Sequence, residues 1–183
     1  GCGASLSMRM VLKAMGDKTI VALPACCWSI IAGPYPQSSL KLPLYHSAFE
    51  TGASVASGIK AGLLARGDTE TTVLAWAGDG GTFDIGFQAL SGAAERNEDI
   101  LYVCYDNEAY MNTGIQRSGA TPALAWTSNT AGGKQGQKKD LDGIMAAHRI
   151  PYFATVSPGY PEEMEAKMRR AICARRSASG SGK

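Results

Sequence analysis

Two runs of residues that are apolar along their whole length constrain the fold of this 183-residue chain most strongly. They are Thr71–Ala77 and Ile100–Tyr105, and a stretch with helical spacing, Phe83–Arg96, separates them. A strand with apolar residues on both faces is buried on both faces, which is typical of a parallel sheet. Neighbouring parallel strands need a crossover helix between them. The chain is therefore predicted to be an α/β domain, a parallel sheet with helices on both faces.

The remaining elements continue this alternation. Helices are predicted at residues 5–15, 46–66, 141–148 and 161–174, and strands at residues 19–23 and 152–156. The proline-rich residues 28–45 are expected to form a surface excursion, and residues 107–138 a long polar loop of the kind that is usually functional. Residues 1–176 then form one domain, and the Ser- and Gly-rich residues 177–183 a tail or linker.

Charge and composition argue against two classes of partner. The formal net charge is +2 and the basic residues form no long stripe, which is too little for a nucleic-acid partner. No apolar run is long enough to cross a membrane, and no signal segment opens the chain, so a cytoplasmic location is expected. The five cysteines show no disulfide framework and are expected to be thiols or metal ligands.

Polar residues follow both apolar strands, at the edge where parallel α/β sheets bind their ligands. Gly78-Asp79-Gly80-Gly81 follows the first strand, and Asn107, 28 residues after Asp79, follows the second. The glycines are expected to allow a sharp turn and a close ligand approach. A carboxylate there would repel a phosphate unless a cation lay between them, and Mg²⁺ commonly bridges protein and diphosphate oxygens. The pair therefore predicts a Mg²⁺-diphosphate site.

Taken alone, the glycine motif also fits a plain strand-turn-helix connection in which Asp79 is the helix N-cap. No GxxxxGK[ST] and no GxGxxG occurs, which excludes a P-loop and a dinucleotide fingerprint. A non-enzymatic module that binds nucleotide or phosphate on an α/β sheet stays open.

The GDG motif followed by an asparagine at the next strand end resembles the signature of thiamine diphosphate enzymes. The longer stretch Ala77–Pro122 resembles the β subunit of the 2-oxoacid:ferredoxin oxidoreductases, in particular the pyruvate type, and the resemblance runs from Gly1 to about Ala171. It implies the thiamine diphosphate-binding fold and oxidative decarboxylation of a 2-oxoacid. Electrons would pass to an iron-sulfur cluster, and coenzyme A would take the acyl group. A non-redox thiamine diphosphate decarboxylase or synthase is the alternative.

The resemblance also implies residue roles at the strand ends. Asp79, Asn107 and the carbonyl of Ala109 would bind Mg²⁺. Asn112 would face the reacting carbon, where its amide can donate to a substrate carbonyl oxygen as negative charge develops. The residues implied to line the cofactor are Cys27, Gly78, Asp79, Gly80, Gly81, Asn107, Glu108, Ala109, Tyr110, Met111 and Asn112.

Two cysteines match cluster positions of the same family. Cys2 and Cys27, the latter expected at the end of the first strand, are implied [4Fe–4S] ligands, with two more ligands outside this chain. Cys104 lies in mid-strand and is expected in the core. Ala4 and Cys26 depart from the usual pattern near the substrate pocket, so an aromatic 2-oxoacid or oxalate stays open as substrate.

The resemblance implies partner subunits as well. A pyrimidine-binding subunit would supply the glutamate that activates the cofactor, and a ferredoxin-like subunit would take the electrons. Glu50 is the one acid of this chain in a comparable helix-start context, although helix N-termini favour glutamate anyway. His46 is expected to be structural. The chain alone should therefore be inactive.

Overall fold

The computed structural model describes residues 2–180, with side chains through Arg175, and is built on a four-stranded parallel sheet. The strands are β1 Thr19–Pro24, β2 Leu44–Ser47, β3 Thr72–Gly78 and β4 Leu101–Tyr105, in the order β2-β1-β3-β4. Every residue of β3 is buried, as expected for a strand apolar on both faces. The parallel sheet is confirmed.

Within residues 2–180, six helices accompany the sheet. They are α1 Gly3–Met15, α2 Cys27–Ala32, α3 Gly52–Ala65, α4 Phe87–Glu95, α5 Leu141–Ala147 and α6 Pro161–Gly180. A π-helical turn, Gly80–Ile85, joins β3 to α4. The long loop after β4 carries a two-stranded antiparallel hairpin, β5 Ala109–Tyr110 and β6 Gln116–Arg117. The sequence pattern predicted neither the π-helical turn nor the hairpin.

Both faces of the sheet are covered by helices. On one face the β1 and β3 side chains Val21, Leu23, Leu74 and Trp76 pack with Met8 and Val11 of α1 and Met164 and Met168 of α6. On the other face the smaller residues Ala22, Val73 and Ala75 pack with Ala56 of α3. Small side chains on that face let α3 lie close to the sheet, and the Gly52 backbone lies close to Pro24 at the end of β1. The predicted architecture is confirmed.

Two boundaries in the first half of the chain differ from prediction. Residues 28–45, expected as a surface excursion, contain most of α2 and the start of β2. The helix expected at residues 46–66 begins only at Gly52, because Leu44–Ser47 pair with Val21–Pro24 of β1. Residues 28–45 therefore connect β1 to β2 and include most of α2.

The strand predicted at residues 152–156 is wrong for this structure, where the segment has no ladder partner. Its residues face β4 across a cavity of about 970 Å³, which both segments line. Within the described residues no strand pairs with the open edge of β4, despite the apolar, β-prone composition of this segment.

The predicted tail overlaps the last helix. The α6 helix continues to Gly180, beyond the expected domain boundary at residue 176, and residues 181–183 lie outside the described residues. No helix within residues 2–180 is both long and apolar enough to cross a membrane.

Candidate functional site

The carboxyl ends of β3 and β4 lie side by side. Gly78 is paired with Tyr105 in the β3–β4 ladder, so the residues that follow the two strands share one edge of the sheet. Asp79 and Asn107 therefore lie close together, although 28 residues separate them in the sequence. This is the arrangement that the sequence predicted for the two strand ends.

Three oxygens converge at this edge. The Asn107 amide oxygen lies 2.8 Å from the Ala109 carbonyl oxygen and 2.8 Å from Oδ1 of Asp79. Turning the amide would replace this oxygen by nitrogen and give two hydrogen bonds at the same distances. Octahedral Mg²⁺ at 2.0–2.1 Å from its ligands separates adjacent oxygens by about 2.9 Å. In the oxygen-facing arrangement, Asn107 therefore has the spacing of an adjacent Mg²⁺ ligand from each of the other two oxygens, and this donor set fits that cation.

The backbone between these ligands adopts an unusual conformation. Glu108 lies between Asn107 and Ala109 and has a φ of 66°, in the left-handed region that L-residues rarely adopt. Its amide donates to Oδ1 of Asp106 at 3.0 Å, which holds the turn. The turn lets the Asn107 side chain and the Ala109 carbonyl face the same point. Strained residues of this kind occur frequently at functional sites.

The Asp79 carboxylate is buried, with 2% of the residue exposed. Burial raises its pKa to about 6; the hydrogen bond from the Ser118 hydroxyl opposes this shift, and the nearby Asp106 and Asp84 add to it. Burying a carboxylate beside two other acidic residues is energetically unfavourable unless a cation compensates for the negative charge. The electrostatics and the oxygen spacing therefore point to the same kind of ligand.

The glycines of the turn line the cleft and also pack against aromatic side chains. Gly78, Gly80 and Gly81 have no positive φ, so the chain bends through a π-helical turn and not through a glycine-only conformation. Their missing side chains make room for aromatic residues. A Cβ on Gly80 would lie 2.2 Å from Cε1 of Tyr110, and one on Gly78 would lie 3.2 Å from the Tyr105 hydroxyl.

A cleft of about 170 Å³ opens beside the three oxygens. The structure brings together at this cleft every residue implied to line the cofactor except Glu108. Glu108 is exposed, and its carboxylate lies 3.5 Å from the Lys138 ammonium. Asn112 is exposed and lines the cleft.

Apart from Cys26, the remaining lining residues had no individual signal in the sequence. Ala25, Cys26, Phe49, Tyr105 and Thr113 also line the cleft. The Tyr105 hydroxyl accepts a hydrogen bond from the Cys27 amide at 3.0 Å and thereby ties the end of β4 to the start of α2. This contact holds residues 25–27 at the site. Cys27 was expected at the end of β1, but β1 ends at Pro24 and Cys27 is the first residue of α2.

Ser118 is another residue that the sequence did not single out. Its hydroxyl donates to Oδ2 of Asp79, and the amide of the next residue, Gly119, donates to Oδ2 of Asp84 at 2.9 Å. The buried Lys134 ammonium donates to the Thr121 carbonyl at 2.6 Å, on the same loop. The sequence signal that could have pointed to Ser118 is that the stretch carrying the family resemblance, Ala77–Pro122, includes it.

Glu50 and His46 lie away from the cleft lining. Glu50 is exposed just before α3, and only its neighbour Phe49 reaches the cleft. His46 lies on β2, with Nε2 3.2 Å from the Gly33 carbonyl oxygen. A structural environment for His46 is what the sequence predicted.

Cys2 and Cys27 open two helices whose first turns are in contact. The Trp28 indole donates to the Ala4 carbonyl at 3.1 Å, which joins the starts of α1 and α2. The amides of Ser5 and Ala4 lower the pKa of the Cys2 thiol. Residues 2–175 contain no cluster of three or more Cys, His, Asp or Glu side chains that could hold a metal ion. Cys104 packs at the core, and burial raises its pKa to about 12.

Comparison with known proteins identifies relatives of this arrangement. Residues 25–179 match the family described as thiamine pyrophosphate enzyme, C-terminal TPP binding domain. The chain is 57% identical over 181 residues to the ketoisovalerate oxidoreductase subunit VorB of Pyrococcus horikoshii, covering 93% of this chain and 58% of that protein. It is 50% identical over 176 residues to the pyruvate synthase subunit PorB of Methanothermobacter marburgensis, covering 93% and 61%. The chain thus spans less than two thirds of these relatives.

A solved structure has the same fold. It is the 2-oxoglutarate:ferredoxin oxidoreductase from Magnetococcus marinus with 2-oxoglutarate, coenzyme A and succinyl-CoA bound, which matches with a TM-score of 0.81 at 24% identity. The match covers 94% of this chain and 58% of that chain.

Proposed function

The chain belongs to the thiamine pyrophosphate enzymes, as their C-terminal TPP-binding domain, and from this premise we propose that the cleft binds the Mg²⁺-diphosphate end of thiamine diphosphate. The convergence of the Asp79, Asn107 and Ala109 oxygens carries the proposal. Diphosphate oxygens and water would complete the octahedron around Mg²⁺. The cation would also compensate for the buried Asp79 carboxylate.

Each side of the cleft has a distinct task. Asp79, Asn107 and the Ala109 carbonyl hold Mg²⁺, and the wall formed by Cys26, Cys27 and residues 110–113 surrounds the thiazolium end of the cofactor. Asn112 donates its amide hydrogen to the substrate carbonyl oxygen as negative charge grows there. When bound, thiamine diphosphate supplies the electron sink for decarboxylation.

We infer that a second subunit completes the site. A cleft of about 170 Å³ is smaller than the roughly 300–1,000 Å³ of pockets that enclose a ligand. Met111 and Ile115 beside it are each 41% exposed, and Trp126 on the same loop is 60% exposed. Such apolar exposure beside a half-formed pocket fits a covering protein surface. The partner would provide the activating glutamate, which none of the described cleft residues supplies.

The reaction we propose is oxidative decarboxylation of a 2-oxoacid, with this chain as the thiamine diphosphate-binding part of a 2-oxoacid:ferredoxin oxidoreductase. The named relatives act as subunits of ketoisovalerate oxidoreductase and pyruvate synthase, which favours an aliphatic 2-oxoacid over an aromatic 2-oxoacid or oxalate. Cys2 and Cys27 would hold part of a [4Fe–4S] cluster, a ferredoxin-like subunit would accept the electrons, and coenzyme A would take the acyl group.

Cofactor binding to the protein in its native assembly tests the proposal. Thiamine diphosphate is titrated calorimetrically with Mg²⁺ into the wild type, Asp79→Ala and the control Asp142→Ala, which removes an exposed carboxylate on α5. We expect affinity to fall by about 100-fold in Asp79→Ala, because a direct metal ligand is lost. Asp142→Ala should bind like the wild type. Equal affinity of Asp79→Ala and the wild type would refute the site.

Iron and acid-labile sulfide in the purified assembly separate the redox enzyme from the non-redox decarboxylase or synthase. The oxidoreductase requires a cluster close to the cofactor, and its content should fall in Cys27→Ser while Cys173→Ser, on the exposed face of α6, retains it. An assembly that decarboxylates a 2-oxoacid without iron would establish the non-redox alternative.

A further inference from the structure

Tyr110 follows the metal-ligand candidate Ala109 and is held on three sides. Its ring lies against the Gly80 backbone, where a Cβ would approach Cε1 to 2.2 Å. The ring meets Phe49 edge to face, with centroids 6.0 Å apart. Its hydroxyl donates to Oδ2 of Asp84 at 2.8 Å. Although Tyr110 borders the cleft, its hydroxyl is directed to protein and not to a ligand.

Asp84 joins three separate segments of the chain. Its Oδ2 accepts the Tyr110 hydroxyl and the Gly119 amide, at 2.8 and 2.9 Å. Its Oδ1 lies 3.8 Å from the Lys139 ammonium, which also donates to the Phe83 carbonyl. This carboxylate therefore holds the hairpin, the 118–121 loop and the segment before α5 against the π-helical turn.

Asp79 and Asp84, at the start of the π-helical turn and within it, both accept hydrogen bonds from the same loop. Asp79 and Asp84 are five residues apart, and a π-helix hydrogen-bonds residues with this spacing, whereas an α-helix uses four. The neighbouring residues Ser118 and Gly119 accordingly reach one carboxylate each. Single π-helical turns of this kind are frequent at functional sites.

We propose that Asp84 and Tyr110 form a clasp that holds the Ala109 carbonyl and Asp79 each 2.8 Å from the Asn107 amide oxygen, a separation that suits adjacent Mg²⁺ ligands, and so selects Mg²⁺ over Ca²⁺. Both are positioning residues, because neither supplies one of the three converging oxygens. The inference rests on the proposed function. Locking the Tyr110 ring also locks the peptide before it, which carries the Ala109 carbonyl.

Metal selectivity follows from the spacing. Mg²⁺ requires ligands at 2.0–2.1 Å in a near-ideal octahedron, while Ca²⁺ accepts a wider, flexible set at 2.3–2.6 Å. The 2.8 Å oxygen separations suit the smaller ion. A clasp that holds these oxygens together penalises Ca²⁺, and a released Ala109 carbonyl can move outward to admit it.

Tyr110→Phe removes the clasp hydroxyl and retains the ring that packs on Gly80. We expect its Mg²⁺-supported affinity for thiamine diphosphate to fall about tenfold, as when an outer partner of a metal ligand is lost. Its Ca²⁺-supported affinity should stay the same or rise, so the Mg²⁺/Ca²⁺ preference falls by about tenfold or more. Tyr152→Phe is the matched control, since its hydroxyl donates to the Lys167 carbonyl at 3.2 Å, away from the cleft.

The assay is calorimetric titration of thiamine diphosphate into the metal-stripped native assembly, with Mg²⁺ or Ca²⁺ supplied separately. A second variant, Asp84→Asn, is measured in parallel so that a folding defect in one does not decide the result. Reduced preference in the clasp variants with unchanged preference in Tyr152→Phe supports the clasp. Wild-type preference in a folded Tyr110→Phe or Asp84→Asn overturns it. A wild type that binds no thiamine diphosphate with either metal overturns the proposed function instead.

Discussion

Gly80→Ala adds a single methyl group at the most crowded point of the site. The new Cβ would lie 2.2 Å from Cε1, 2.7 Å from Cδ1 and 2.8 Å from Cζ of Tyr110. Carbon atoms in ordinary contact are about 3.5–4.0 Å apart, so the ring must move by more than about 1 Å. Its edge-to-face contact with Phe49 and its 2.8 Å hydrogen bond to Asp84 oppose that movement.

The expected cost follows from these contacts. Forcing a methyl group into a filled space costs about 1–3 kcal/mol. Losing the hydrogen bond to the Asp84 carboxylate adds about 1.5 kcal/mol or more. We therefore expect the free energy of unfolding to fall by about 3 kcal/mol. For a domain of this size that lowers the Tm by roughly 6–12 °C, at about 2–4 °C per kcal/mol.

Thermal unfolding of the metal-free protein measures the stability change, and titration with Mg²⁺ and thiamine diphosphate measures the accompanying loss of affinity. Gly62→Ala is the matched control, because nothing lies within 4 Å of its added Cβ on α3. A mid-helix Gly-to-Ala change stabilises by about 0.5–1 kcal/mol. If Gly80→Ala unfolds within 1 °C of the wild type and binds the cofactor equally well, the account of Tyr110 and Gly80 is refuted.

Three further predictions concern charge and assembly. In the metal-free protein the pKa of Asp79 is raised to about 6, so protonated Asp79 contributes to stability fully below about pH 4, and this contribution is lost as the pH rises to 6. Asp79→Asn should abolish that part of the pH dependence of Tm. Lys60→Met removes a buried ammonium that lies 3.0 Å from Asp99 and donates to the Thr71 carbonyl. Because Arg175 keeps Asp99 paired, urea unfolding should show a loss of about 1–3 kcal/mol, and wild-type stability would contradict these contacts. The isolated chain should not decarboxylate any 2-oxoacid; turnover at the assembly's rate would disprove the partner subunit.

Local chemistry allowed the sheet and the paired strand ends to be predicted. β3 is apolar on both faces, and a turn with an acidic residue follows it, so burial and a ligand-binding edge followed from the sequence. Asp79 and Asn107, 28 residues apart, then follow the ends of two neighbouring strands. These predictions rest on short stretches of sequence and do not require knowledge of tertiary contacts elsewhere in the chain.

Other features depend on tertiary contacts that leave no local pattern. The glycines were predicted to make space for a ligand, and the sequence did not show that they also make space for Tyr110 of β5 and Tyr105 of β4. Ser118 reaches Asp79 from 39 residues away, and nothing in its neighbourhood distinguishes it from an ordinary loop serine. Residues 152–156 have the composition of a strand, yet composition does not determine whether a backbone partner lies within reach.

The most direct test of the central claim is a crystal structure of the native assembly with thiamine diphosphate and Mn²⁺, whose anomalous scattering marks the metal position. We predict a peak within about 2.3 Å of Oδ1 of Asp79, the Asn107 amide oxygen and the Ala109 carbonyl oxygen, with two diphosphate oxygens and a water completing the coordination. A cofactor bound with its metal elsewhere, and with the Asn107 amide nitrogen donating to Asp79, would contradict the claim.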